Sequence, residues 1–234
     1  MVTQSADELS SLYLEHSPTW HVEESAWKAG YIVEMLKKNG ISPYSIVDVG
    51  CGAGEVLLQV YNKLDGKPVC EGYDVAIDAY KKSQARQKEK LSYFHGNAFE
   101  NDKKYDLLLM IDVFEHVEEC FSFLRRASEK AKYKIYHIPL DLSVYSLIIN
   151  NFKYVRVPGG HIHYYTKFTA LKTLEETGHE IVDYFYTPGA LEVHNKGLTM
   201  FGRFTNFLRK VGYKINKDAT VKYLGGFSLM VLTK

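Results

Sequence analysis

The stretch Ser45-Ile46-Val47-Asp48-Val49-Gly50-Cys51-Gly52-Ala53-Gly54-Glu55 decides the fold. It opens as a short apolar run with β-branched residues, the pattern of a buried strand. It then breaks into glycines at every second position and resumes as Glu55-Val56-Leu57-Leu58-Gln59-Val60-Tyr61, with an apolar face at helical spacing. Strand, tight glycine turn and helix, in that order, make a loop whose backbone a ligand can approach closely. The N–H groups that open the helix favour negative charge in front of them. Gly50, Gly52 and Gly54 read G-x-G-x-G, whereas a dinucleotide fingerprint reads G-x-G-x-x-G. A nicotinamide oxidoreductase shares the fold but requires the longer spacing.

Outward from this turn the chain alternates strands and helices. On the N-terminal side, Glu23 to Lys38 has helical spacing, with Ala26, Ala29, Ile32, Val33 and Leu36 on one face and Asn39-Gly40 as the stop. On the C-terminal side, Pro68 to Asp74 reads as a strand ending in an acid, and Ala76 to Lys88 as a helix. Leu91 to Phe99 reads as a third strand with its exit loop. Tyr105-Asp106-Leu107-Leu108-Leu109-Met110-Ile111-Asp112 is nearly unbroken apolar sequence, as a central strand covered on both faces requires. Cys120 to Lys132 is a helix with Phe121, Leu124 and Ala127 inward, and Tyr133 to Leu140 a fifth strand. Thr166 caps a helix over Lys167 to Glu176, and His179–Thr187 and Gly226–Thr233 read as the last two strands.

Composition bounds the function. The 234 residues fit one domain with a substantial core, residues 1–40 forming a cap-helix region and 188–224 an insertion before the last strand. A formal charge of +1 gives no global field for a polyanion, so nucleic acid is not an expected partner. Cys51, Cys70 and Cys120 are odd in number and far apart, which fits a reduced, cytoplasmic protein. No apolar run approaches membrane-spanning length, and no stable membrane association is expected. The insertion holds seven Lys/Arg against two acids, with an apolar stripe of Leu198, Phe201, Phe204, Leu208 and Val211 and with Arg203, Arg209, Lys210 and Lys214 nearby. A helix docked on its own domain is the first reading of it. A substrate lid or a homodimer arm is the second, and a membrane-surface anchor the last.

The nine residues Val47 to Glu55 resemble motif I of the class I S-adenosylmethionine-dependent methyltransferases. Asp112-Val113-Phe114-Glu115-His116-Val117 resembles the D-V-x-E-H-V exit of small-molecule methyltransferases, including those that make quinones or modify sugars. The stretch Pro158 to Thr166 resembles the Gly-His-x-x-x-Tyr-Thr segment of the same family, and the resemblance spans roughly residues 23–187. It implies a doubly wound, Rossmann-like α/β fold with seven strands in the order 3-2-1-4-5-7-6, strand 7 antiparallel. It implies S-adenosylmethionine held by Asp48, Gly50, Cys51, Gly52, Gly54, Asp74, Val75, Asn97 and Ala98, with Asp112 near the methionine end. Asp74, 20 residues past Gly54, accepts the ribose hydroxyls in this reading; capping the next helix is its other role. Asn97 stands where the family usually has an acid for the adenine amino group. Trp20, Trp27 and Lys28 line the cofactor pocket in this reading; the alternative, which is preferred, is that both tryptophans pack the first helix on the sheet.

Methyl transfer from a sulfonium is an in-line displacement, so alignment of the acceptor carries most of the rate. The expected acceptor is a small molecule methylated on oxygen, a sugar or secondary metabolite. His116, His161 and His163 are the candidate bases, because imidazole titrates in the useful range. Asp112, Glu115 and His116, with His161 or His163 as a fourth ligand, resemble the E-x-x-E-H plus distant His set of magnesium-dependent methyltransferases acting on small-RNA 3′ ends. Here Asp112 replaces the longer Glu, and no basic surface supports RNA. A divalent metal is therefore the alternative rather than the first reading. A catalytically silent protein that binds S-adenosylmethionine and supports a partner is the other alternative.

Overall fold

The computed structural model describes residues 22–156, 160–195 and 197–234; Trp20 and the Pro158-Gly159 pair lie outside the described residues. The strands are β1 (Ser45–Val49), β2 (Val69–Asp74), β3 (Leu91–His95), β4 (Tyr105–Ile111), β5 (Ala131–Pro139), β6 (Ile181–Thr187) and β7 (Ser228–Thr233). They form one sheet in the order β3-β2-β1-β4-β5-β7-β6. Pairings from β3 through β5 are parallel, while β7 runs antiparallel to both β5 and β6. The order reverses between β1 and β4, so a crevice opens beyond the carboxyl ends of these strands.

Helices cover both faces. In order they are α1 (Ser25–Lys38), α2 (Glu55–Lys63), α3 (Ile77–Ser83), α4 (Cys120–Lys130), α5 (Val144–Ile148), α6 (Phe152–Arg156), α7 (Lys167–Glu176), α8 (Gly189–Glu192), α9 (Met200–Ile215) and α10 (Lys217–Leu224). Strand β4 shows why its run is continuously apolar. Leu108 and Met110 enter the core shared with Leu124 and Ala127 of α4, and Leu107 and Leu109 the core shared with Ile32, Leu36 and Leu57. Each such leucine, fully buried, contributes about 1.5–3 kcal/mol relative to exposure. The Asp106 carboxylate fixes the register at the start of β1, accepting from the Tyr44 and Ser45 N–H groups at 2.9 Å each. Thr166 caps α7 as expected, in a reciprocal box with Thr169.

Several boundaries differ from the sequence reading. The helix expected to Lys88 stops at Ser83 and tightens into a single turn over Gln84–Arg86, after which Lys88 pairs with Leu91 to turn the chain into β3. Strand β7 begins at Ser228 rather than Gly226 because Gly225 and Gly226 both take positive φ. Ala26 faces solvent, and Lys28 and Met35 are buried instead. Phe121 is exposed while Cys120 turns inward, 3.4 Å from the Tyr165 hydroxyl.

The segment between β6 and β7 consists of α8, α9 and α10. Helix α9 docks through its small and polar side. Asn206 donates to the Ala190 carbonyl at 2.7 Å, Arg209 to the Leu224 and Gly225 carbonyls, and Tyr213 stacks on Phe227. Phe201, Phe204, Leu208 and Val211, expected as its packing stripe, are all exposed.

Candidate active site

The glycine turn leaves β1 at the crevice. Gly50 has φ +73 and lies against Val113, so a Cβ would come within 2.8 Å of the valine side chain. Gly54 has φ +82 and lies on the Tyr93 ring, where a Cβ would come within 2.5 Å. Tyr93 also donates its hydroxyl to the Gly54 carbonyl at 2.6 Å. Two of the three glycines are therefore required by the protein's own side chains. The Gly52 N–H is held by Asp74 Oδ2 at 2.8 Å, and Asp74 Oδ1 accepts from Ala76 N–H at 2.8 Å. Asp74 thus braces the glycine turn, a role outside both of those expected for it, and its bond to Ala76 N–H closes the turn ahead of α3, whose N-cap is Ala76. Burial raises its pKa against the pull of those two N–H groups.

Asp48, in β1, is buried with Oδ1 lacking a hydrogen-bond partner. Burial, then the charge of Asp74, pushes its pKa up to about 8, so it holds a proton at neutral pH. Cys51 is buried beside it, and burial raises its thiol pKa well above the ordinary value. Val75 is exposed just beyond Asp74, and Ala98 is buried in the turn after β3. The Asn97 amide oxygen, expected toward adenine, accepts the Phe99 N–H at 3.0 Å and caps that turn.

At the end of β4, Asp112 takes φ +55, a conformation that a non-glycine residue rarely adopts. Its two oxygens are held from opposite sides, by Lys28 Nζ at 2.8 Å and by His137 Nδ1 at 2.6 Å. Lys28 reaches Glu24 at 3.1 Å, and Thr187 Oγ lies 2.8 Å from His137 Nε2. Burial disfavours both charged forms, but the partners outweigh it: the Lys28 pKa is raised and the Asp112 pKa lowered. Lys28 thus ties α1 to the crevice through a partly buried ion pair. Trp27 sits edge-on to His137 with ring centres 6.0 Å apart and donates to Glu192 at 2.6 Å; Tyr31 donates to the same carboxylate.

The segment 160–163 returns to the exit of β4, where Ile162 and His163 donate their N–H groups to the Glu115 carbonyl. This brings the rings of His116 and His161 to 4.8 Å, edge to face. His163 is turned away, its Nε2 2.8 Å from the Val117 carbonyl. Burial and then His161 push the His116 pKa down to about 4. His161 Nδ1 lies 2.7 Å from Asp141 Oδ2, an orienting carboxylate just past the end of β5. Glu115 is fully buried, and neither carboxylate oxygen has a hydrogen-bond partner. Burial, then the charge of Asp112, lifts its pKa well above the carboxylate range. Glu115, His116 and His161 place potential metal-ligating atoms within 4.8 Å of one another. Asp112, expected beside Glu115 and His116 in the ligand set, stands outside this group with both oxygens engaged.

Sequence reasoning missed His137, Asp141, Thr187 and Glu192. The one signal for His137 was a polar side chain inside the apolar run Ile135–Ile138. Asp141 stood two residues past the strand-ending Pro139 with nothing to mark its partner.

The sheet order, the glycine turn braced by an acid at the end of β2, and the site at the switch between β1 and β4 define a class I S-adenosylmethionine-dependent methyltransferase. The chain belongs to the family described as the methyltransferase domain, whose model matches residues 20–184. It is 29% identical over 111 residues to the ubiquinone biosynthesis O-methyltransferase of Rickettsia bellii, and 34% identical over 106 residues to that of Rickettsia typhi. These matches cover 46% and 40% of this chain, and the same shares of the relatives, so the chain spans less than half the length of the curated relatives it matches. In fold it is similar to magnesium protoporphyrin IX methyltransferase of Synechocystis PCC 6803 with bound S-adenosylmethionine. That likeness has a TM-score of 0.62 at 12% identity and covers 100% of this chain and 98% of the other.

Proposed function

We propose that this chain transfers a methyl group from S-adenosylmethionine to a hydroxyl oxygen of a small molecule, with His161 as the general base. The observation that carries the base is the 2.7 Å pair of His161 Nδ1 with Asp141. That bond keeps the proton on Nδ1 and presents Nε2 as an acceptor. Burial makes His116 a weak base, and His163 Nε2 is spent on a carbonyl. The donor supplies an already activated methyl on a sulfonium. The acceptor oxygen forms its bond to the methyl carbon as the C–S bond breaks onto sulfur, and the hydroxyl proton passes to His161. Gly50, Gly52 and Gly54, with Asp74, are the proposed cradle for the donor. The names of the Rickettsia relatives make a phenolic ring hydroxyl the first acceptor to try, and a sugar hydroxyl the second.

Calorimetry with S-adenosylhomocysteine tests the donor site: binding that is lost in Asp74→Ala supports it, and no binding to the unmutated protein refutes it. With an acceptor in hand, His161→Ala should lower the transfer rate about 10²–10⁴-fold while leaving S-adenosylhomocysteine affinity unchanged. A rate within a few-fold of the parent would remove His161 from the base role.

A second reading uses a divalent cation on Glu115, His116 and His161. It is favoured by the unpartnered, buried Glu115 carboxylate in a mixed O/N ligand set, which suits magnesium or a borderline transition metal. Such an ion would orient an acceptor oxygen as a Lewis acid. A thermal shift on adding magnesium or manganese that disappears in Glu115→Gln would favour this reading.

A further inference from the structure

Helix α9 is mounted with its apolar side outward. Its docking side is Thr205, Asn206, Arg209 and Gly212, where a Cβ on Gly212 would come within 2.6 Å of Thr220 Oγ. On the opposite side Met200, Phe201, Phe204, Phe207, Val211 and Ile215 face solvent, with Met200 88% and Ile215 80% exposed. At helical spacing these six share one arc of the surface. Arg203, Lys210 and Lys214 follow one another at intervals of seven and four residues, which puts these exposed cations in a single row along one edge of that arc. No acid occurs anywhere between Leu198 and Asn216. The helix is 16 residues long, about 24 Å. Arg209, 5.2 Å from the ring of Tyr145, ties it to α5, whose Leu147 and Ile148 are also exposed.

We propose that α9 is an interfacial anchor that lies flat on an anionic lipid bilayer, its phenylalanines in the acyl boundary and its cation row among the headgroups. A contiguous apolar arc of this kind on a monomer's surface marks an interaction site. The charge pattern selects the occupant. An aromatic and aliphatic face edged by cations with no acid is the composition of helices that bind anionic membrane surfaces in-plane. A second copy of the same helix would cover the apolar face, yet it offers no acidic side chain to the cation row. Among the described residues no helix is long and apolar enough to cross a membrane, so the contact is with one leaflet. The assignment rests on α9 and is independent of the methyl acceptor. It also reverses the order of the sequence reading, in which a membrane anchor came last.

Co-sedimentation of the full chain with vesicles tests it. The chain should pellet with vesicles containing phosphatidylglycerol, stay in the supernatant with phosphatidylcholine alone, and be released by high salt. Phe204→Ser with Phe207→Ser should weaken binding about tenfold or more through lost apolar burial. Lys210→Glu with Lys214→Glu should do the same through charge. Thermal melting checks that each variant folds; should the first pair fail, Met200→Ser with Ile215→Ser replaces it. Failure to pellet at any composition overturns the proposal, as does binding that neither pair alters. Light scattering that shows a dimer broken by Phe204→Ser with Phe207→Ser, without vesicle binding, overturns it in favour of self-association.

Discussion

Asp48→Asn gives a prediction whose size follows from the structure. The Asp48 carboxyl is buried beside Asp74, and its pKa rises from an ordinary 3.8 to about 8 on folding. Between those values the unfolded chain has released the proton while the folded chain keeps it. The native state then binds more protons, and stability falls as pH rises. The linkage relation gives a penalty of about 2 kcal/mol at pH 5 and about 5 kcal/mol at pH 8, so roughly 3–4 kcal/mol is lost across that interval. An amide cannot titrate, and any fixed cost of seating it drops out of the pH dependence. Urea unfolding followed by far-ultraviolet circular dichroism, from pH 5 to pH 8 and without added ligand, measures both proteins. The difference between them should grow with pH in favour of the variant, approaching that figure. Parallel profiles, diverging by less than about 1 kcal/mol, would refute the raised pKa.

Other perturbations follow from contacts already described. Lys28→Met leaves Asp112 with one of its two partners and should cost about 3–5 kcal/mol, read as a lower melting temperature. Gly54→Ala adds a Cβ against Tyr93 at a positive φ and should destabilise by about 2–4 kcal/mol in urea unfolding. Phe207→Ser, on the outward side of α9, should change stability by no more than about 0.5 kcal/mol despite the loss of a large apolar side chain. NMR titration should find the His116 imidazole protonating near pH 4 rather than pH 6.5. Its folded pKa lies below its unfolded one, so the stability it contributes is present above pH 6.5 and lost as pH falls toward 4.

The strand order and the placement of Asp74 were legible because both are local signals set against a family pattern: a glycine turn, an acid at a strand end and a continuous apolar β4. The ion pair of Lys28 with Asp112 was not legible, because its members stand 84 residues apart and sequence spacing says nothing about which buried lysine meets which acid. The pairing of His161 with Asp141 was hidden for the same reason, since it forms only when segment 160–163 folds back onto the Glu115 carbonyl. Helix α9 illustrates a different limit. Its periodicity reveals two faces, but periodicity is blind to which face the rest of the protein takes. Here the docking is decided by Arg209 meeting the carbonyls that end α10, and by a glycine that lets Thr220 approach.

The packing of Gly50 on Val113 and of Gly54 on Tyr93 bears on how this signature ages. A descendant of this chain that ceased to hold a donor would still need both glycines, because its own valine and tyrosine would keep enforcing them. The motif would outlive the activity it is used to diagnose. Divergence among such silent descendants should first release positions that internal packing does not enforce, leaving the glycines as the last trace of a lost ligand.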